Sequence, residues 1–197
     1  MSTANESEKA ARLKEAALAV LQGSGGSLNI VLTNKALFFA DLVALRDLGG
    51  TITKSTYIAL EHGPVVAKYL KRLIDALQRT GLARSVSVGD ARPLVLTASG
   101  REFQRHVLLE EEWNIAHKIG DIFSGATSTF ASRFSHDNPG WRIANLQRIE
   151  KGIPQPIDML VALQDDRLYD PEGPASDDSQ LLEDFESSEA GALLDWE

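Results

Sequence analysis

The sequence predicts a mainly α-helical protein of the α+β class. It reads as a compact helical domain with one β-hairpin, a winged-helix-like order in its middle and a disordered acidic C-terminal tail. Three observations predict this. Apolar residues recur three and four apart through most of the first 163 residues. Two β-rich runs flank Gly89-Asp90-Ala91-Arg92, which is a hairpin signal. Beyond residue 163 the periodicity stops, and Asp, Ser, Gly and Pro take over, a composition that cannot bury enough apolar surface to order itself.

Each element has a local reason. Leu13, Ala17, Leu18 and Leu21 repeat at helical spacing, and Asn5 with Glu8 has the form of a capping box, so a helix is expected over 5–22. Gly23-Ser24-Gly25-Gly26 breaks it. Ser27 is placed to cap a second helix running to Leu48, with Gly49-Gly50 ending it. That helix is apolar nearly all round, as a helix in the middle of a domain is. Residues 51–60 are β-branched and extended in character, and Gly63-Pro64 is expected to open a third helix striped by Val66, Leu70, Leu73 and Leu77 and ended by Gly81. Strands over about 82–88 and 93–97 form the hairpin. Ser99-x-x-Glu102 is a capping box for a fourth helix reaching Ile119. A short helix is expected over 126–135, then a Ser135–Gly140 turn broken by Pro139 and Gly140, a helix from Trp141 to Ile149, and a last one from Pro156 to about Gln164. The organisation is thus an N-terminal helix and linker over 1–26, a helical domain over 27–163 containing the hairpin at 82–97, and a tail over 164–197.

Charge divides along the same line. The chain of 197 residues carries a net charge of −8, but residues 164–197 hold twelve acids and one base, so the tail is −11 and the body is +3. A mildly basic body leaves nucleic acid open as a partner. There is no cysteine, which excludes disulfides, thiol nucleophiles and Cys-built metal sites. The first residues are polar and charged, and the most apolar stretch, Ala36–Leu45, is ten residues with Asp41 inside it, so no leader or membrane span is expected and a cytoplasmic protein is.

No catalytic set is apparent, and neither a metal nor a cofactor is expected. His62, His106, His117 and His136 lack the spacing of helical metal ligands; His106 and His117 are expected on one helix, three turns apart. Ser135-His136-Asp137 is hydrolase-like in composition alone, without a nucleophile elbow. Lys68, Lys71, Arg72 and Arg79 before the hairpin, with Arg84 and Arg92 near its tip, are the basis for a winged-helix reading in which the third helix meets DNA. Inside the apolar second helix, Asn34, Lys35 and Asp41 each require a partner; Asn34 can tie down a loop, and Lys35 can reach solvent along its stem or face a binding partner. In the tail, Phe185 and Trp196 are apolar anchors among acids, the pattern of a segment that folds on binding.

Four segments together resemble one family. Asn34-Lys35-Ala36-Leu37-Phe38-Phe39-Ala40-Asp41 resembles the opening "NKLLYFAD" helix of the Panacea domain, the SocA-like antitoxins. Gly50-Thr51-Ile52-Thr53 followed by Tyr57-Ile58-Ala59 and Gly63-Pro64-Val65 is similar to its "G-x-I-T…Y-x-A…GPV" stretch, with His62 standing where the family often has an aromatic. Leu96-Thr97-x-x-Gly100-x-Glu102 is similar to its "LT" helix start, and Phe134-Ser135-His136 with Pro139-Gly140-Trp141 to its closing "SH…P-W". The resemblance spans about residues 28–150. It implies an antitoxin that neutralises a cognate protein toxin by direct binding; one relative instead acts as an adaptor delivering its toxin to a protease. The contact residues it implies are Asn34, Lys35, Phe38 and Phe39, the corner His62, Gly63, Pro64 and Val65, and Ser135, His136 and Trp141. A DNA-binding regulator is the alternative, and the oligomeric state is left open.

Overall fold

The N-terminal helix α1 (Ser2–Gly23) starts three residues before the expected cap, so Asn5 lies inside it. The computed structural model describes residues 2–88 and 92–169, so the hairpin tip at 89–91 and the tail anchors Phe185 and Trp196 lie outside the described residues. The chain divides after Gln164 into two units. In the first, α1 is packed against the helices α2 (Ile30–Leu48) and α5 (Glu110–Ser124). Ala16, Ala17, Leu18 and Leu21 from α1, with Leu37, Phe38 and Leu42 from α2, form its centre. The approach of α1 to α5 depends on Gly120: a Cβ there would lie 2.1 Å from the Val20 carbonyl oxygen.

The cap of α2 is Asn29, whose Oδ1 accepts from the Val31 N–H at 2.9 Å, and not Ser27. Ser27 is drawn out of the helix because β1 (Ser27–Asn29) pairs with β5 (Pro93–Leu96), which also pairs with β4 (Ala83–Ser85). All three run antiparallel in the order β1-β5-β4. The strand between the first two helices thus completes the helix–strand–helix–helix–strand–strand order of a winged helix.

A second hairpin, absent from the sequence expectation, is inserted after α2. Gly63-Pro64 does not open a helix. Strand β2 (Tyr57–Leu60) turns through Glu61-His62 into β3 (Gly63–Val66), pairing Leu60 with Gly63 and Ala59 with Pro64. Gly63 takes φ +110, conformational space that other residues rarely enter. Pro64 is tolerated because β3 is an edge of the sheet β3-β2-β6, where β6 is Gln155–Pro156. The third helix starts later, as a π-helical turn over Leu70–Ile74 running into α3 (Asp75–Arg79), and Gly81 ends it at φ +68 as expected.

The long fourth helix is also two elements. Thr97, not Ser99, caps the single turn α4 (Ala98–Arg101) through Gly100 N–H at 3.2 Å. The chain then leaves helical geometry until Glu110, because the buried Glu15 carboxylate of α1 collects the N–H groups of His106, Val107 and Leu108 at 2.9–3.1 Å. His106 therefore shares no helix with His117. After α6 (Ser128–His136), Pro139 starts the helix α7 (Pro139–Lys151) rather than breaking one: Asn138 caps it, and Pro139 occupies the first turn, where no N–H is missed. Pro156 belongs to β6, and the last helix is the short α8 (Met159–Ala162), capped by Asp158.

Candidate functional site

Three of the four motif segments meet at the hairpin β2–β3, while Leu96–Gly100 belongs to β5, in the other sheet, and to α4. From α2, Asn34 Oδ1 accepts the Val66 N–H at 3.4 Å, and Lys35 Nζ donates to the His62 carbonyl. From α7, the Trp141 indole N–H donates to the Leu60 carbonyl at 3.2 Å. The two-residue tip is therefore held from one side by α2 and from the other by α7. About two turns further along α2, Asp41 is fully buried and accepts from the Thr53 N–H at 2.9 Å, the Thr53 hydroxyl and the Tyr57 hydroxyl at 2.9 Å. Burial pushes the Asp41 carboxyl up, and these donors pull it back. Burial also raises the Tyr57 hydroxyl, with the Asp41 charge adding to it.

Lys35 does not reach solvent along its stem: only 1% of the residue is exposed. Burial holds its ammonium down, to about 7, so the amine and ammonium forms coexist near neutral pH. Gly63 makes the room it occupies. A Cβ at Gly63 would meet Lys35 Nζ at 2.2 Å and Ser135 Oγ at 2.6 Å, so these two side chains fill the space where any larger residue would point. Ser135 is itself fully buried, and its hydroxyl donates to the Ser132 carbonyl at 2.8 Å. That bond turns the hydroxyl toward its own helix, a structural use of the serine. Beside it the half-buried His136 ring stacks on Trp141 at 4.1 Å between centroids with the planes 5° apart. Burial, then the Lys35 charge, lower its pKa, while a hydrogen bond to the His62 backbone opposes them, and its Nε2 has no partner among the described residues.

The residues singled out by sequence fall into two groups. Asn34, Lys35, Phe38, Phe39, Gly63, Pro64, Ser135 and Trp141 are buried, and His62, Val65 and His136 are half-buried. Phe38 meets Tyr57 edge-on at 5.2 Å, and Phe39 packs against Phe134 at 5.1 Å and Phe123 at 5.9 Å, so both rings belong to the interior. Sequence reasoning missed three polar anchors. Glu15 holds the 106–108 loop. Arg12 pairs with Glu112 and donates to the Ile52 carbonyl at 2.7 Å. Asn138 bridges its own helix start to the Ala162 carbonyl at 2.9 Å. The one available signal was a charged residue on the apolar side of α1, at Arg12 and Glu15. Among the described residues no cluster of His, Asp and Glu could hold a metal ion, and no helix is long and apolar enough to cross a membrane.

No curated protein and no solved structure matches the chain at a significant level. The family model described as "Antitoxin SocA-like, Panacea domain" matches residues 33–142, more than half of the chain. That span runs from the first turn of α2 to the first turn of α7 and so contains Asn34, Lys35 and Trp141, whose hydrogen bonds hold the β2–β3 hairpin, while β6, which pairs with β2, lies beyond it. The chain belongs to the SocA-like antitoxin family that carries the Panacea domain.

Proposed function

We propose that this protein is an antitoxin that binds a cognate protein toxin directly and silences it. The observation that carries the reading is the family match over residues 33–142. The geometry supports a division of labour within it. A tight interface needs anchors held in one conformation before the partner arrives. Glu61, His62 and Val65 of the hairpin, with His136 at the end of α6, are the exposed or half-buried parts that a partner reaches. Asn34, Lys35, Phe38, Phe39, Gly63, Pro64, Ser135 and Trp141 hold that tip in place. The acidic segment 178–197, with Phe185 and Trp196, supplies a second contact to a basic surface on the partner, one that weakens with salt. The winged-helix order is a feature of fold, and fold alone assigns no ligand. On the helix that would face DNA, the exposed Arg72 is paired with Glu6 at 3.0 Å, and the exposed Asp75 stands among the basic residues.

Co-expression with the toxin encoded beside it tests the reading: growth is restored and the two proteins co-purify. Growth arrest with no complex would overturn it. Val65→Glu weakens the complex without unfolding the protein, and removal of 178–197 lowers both the affinity and its salt dependence.

A further inference from the structure

Helix α7 carries an outer face that its own unit leaves uncovered. Its inner side is complete: Trp141 and Ala144 are buried, and Gly140 lies against Ala162, where a Cβ would come within 2.6 Å. On the other side Ile143, Leu146 and Ile149 are 50%, 68% and 65% exposed. Residues three and four apart on a helix are neighbours, so these three make one apolar stripe. Ile153 and Leu160, just beyond the helix, are exposed as well. Scattered single exposed apolar residues are ordinary, but five within eighteen positions mark an interaction surface.

The order of residues along the stripe reads the same outward from its middle. Leu146 is the centre. Three residues to either side stand Ile143 and Ile149. Four residues to either side stand Arg142 and Glu150, both exposed and without an ion pair or side-chain hydrogen bond among the described residues. Two helices related by a two-fold axis perpendicular to both run antiparallel, and a residue a given number of positions before the axis meets the one that far after it. With the axis at Leu146, Leu146 meets its own copy, Ile143 meets Ile149, and Arg142 meets Glu150, twice over. A partner of one charge sign would satisfy only one of those two ions; a second copy satisfies both.

We propose that this protein self-associates as a two-fold dimer through antiparallel contact of α7 with α7, centred on Leu146. The contact uses the face of α7 opposite Trp141, so the hairpin tip stays held as described. Its area is that of one helix crossing, at the small end of specific interfaces, and the dimer is therefore concentration-dependent.

Sedimentation velocity of the full chain alone, over about three decades of concentration, tests this without any toxin. The wild-type protein shifts from monomer to dimer. Leu146→Glu stays monomeric. Arg142→Glu and Glu150→Arg each place like charges together twice and weaken the dimer about tenfold or more. The double reversal Arg142→Glu/Glu150→Arg restores it, and the two single variants mixed together form a heterodimer tighter than either alone. Circular dichroism melts at a concentration that keeps the chain monomeric, unchanged in all four variants, show that the fold is kept. A wild-type chain that is monomeric throughout would overturn the proposal, as would a dimer indifferent to Leu146→Glu or a double reversal no better than the singles. A monomeric wild type whose capture of the toxin is lost with Leu146→Glu would also overturn it, and would give the face to the toxin. A sound dimer with no toxin bound refutes the antitoxin reading and leaves this one standing.

Discussion

Helices α2 and α7 depart from the usual arrangement of apolar and polar residues in opposite directions. The interior helix α2 takes Thr33, Asn34, Lys35 and Asp41 into the core, and the peripheral α7 leaves Ile143, Leu146 and Ile149 in solvent. The partners explain the difference. Asn34, Lys35 and Asp41 each meet a group from the segment that follows α2: Val66, His62, and the pair Thr53 and Tyr57. These polar groups are therefore fasteners of the inserted hairpin, since a buried polar group is tolerated where it is hydrogen-bonded. The apolar residues of α7 have no such counterpart in their own unit. Polarity in the wrong place here builds the fold, and apolarity in the wrong place leaves a surface for another chain.

The largest effect is expected where the fastening is densest. Asp41→Ala removes one acceptor from three donors and leaves the Thr53 amide and hydroxyl and the Tyr57 hydroxyl buried without it. At about 1–3 kcal/mol for each stranded group, partly relieved by relaxation, a loss of about 3–5 kcal/mol is expected in urea denaturation. A loss under about 1 kcal/mol would mean that the α2 network is incidental. Gly63→Ala comes next. It drives a methyl group toward Lys35 Nζ and Ser135 Oγ at a φ of +110, and a loss of about 2–3 kcal/mol is expected. Gly49→Ala at the end of α2, with φ +74 and nothing within 4 Å of the new atom, isolates the backbone part of that cost.

Lys35 makes the comparison dependent on pH. Its ammonium titrates at about 7 when folded, against 10.5 ordinarily. Between those values the unfolded chain carries a proton that the folded chain lacks, so stability rises with pH, by up to about 1.4 kcal/mol per unit. Below about 7 both states are protonated and the full cost of burying the charge is present. Lys35→Met abolishes this rise, which urea midpoints at successive pH values from neutral upward would show for the wild type alone. His136, lowered by the same burial and by the Lys35 charge, lies below this window, and Tyr57, raised by burial, opposes the rise only at its top, where the unfolded tyrosine begins to lose its proton, in variant and wild type alike. A difference between variant and wild type that stays constant with pH would show that the amine behaves as an ordinary lysine.

Much of the helical framework was legible because its causes are local. The left-handed glycines Gly49 and Gly81, the apolar saturation of α2 and the helix over 128–136 all follow from neighbouring residues. Three of the misreadings share one cause, a distant partner. Ser27 is a good cap, but pairing with β5 removes it from the helix. Gly63-Pro64 has the composition of a helix start, but α2 and α7 supply hydrogen bonds to Leu60, His62 and Val66 that favour a hairpin. Residues 103–109 carry no strong helix breaker, yet Glu15 takes the N–H groups of His106, Val107 and Leu108 from 91 or more positions away. The burial of the candidate residues was not legible, because the same side chains at the same spacing can face a partner or a hairpin.

The smallest expected effect is the sharpest test of the contrast within one helix. Ala144 and Leu146 are two positions apart on α7, one 3% and the other 68% exposed. Ala144→Leu forces three carbons into the buried side of α7 and costs about 1–3 kcal/mol. Leu146→Glu changes an apolar side chain to a charge, a more drastic substitution by any chemical scale, and is expected to move the unfolding midpoint by no more than about 0.5 kcal/mol. Both are read from the same urea titration at a protein concentration low enough to keep the chain monomeric. If Leu146→Glu proves as costly as Ala144→Leu, the side chain is covered by its own fold. If it costs nothing to the monomer yet prevents self-association, the leucine is there for the second chain, because nothing in the first one uses it.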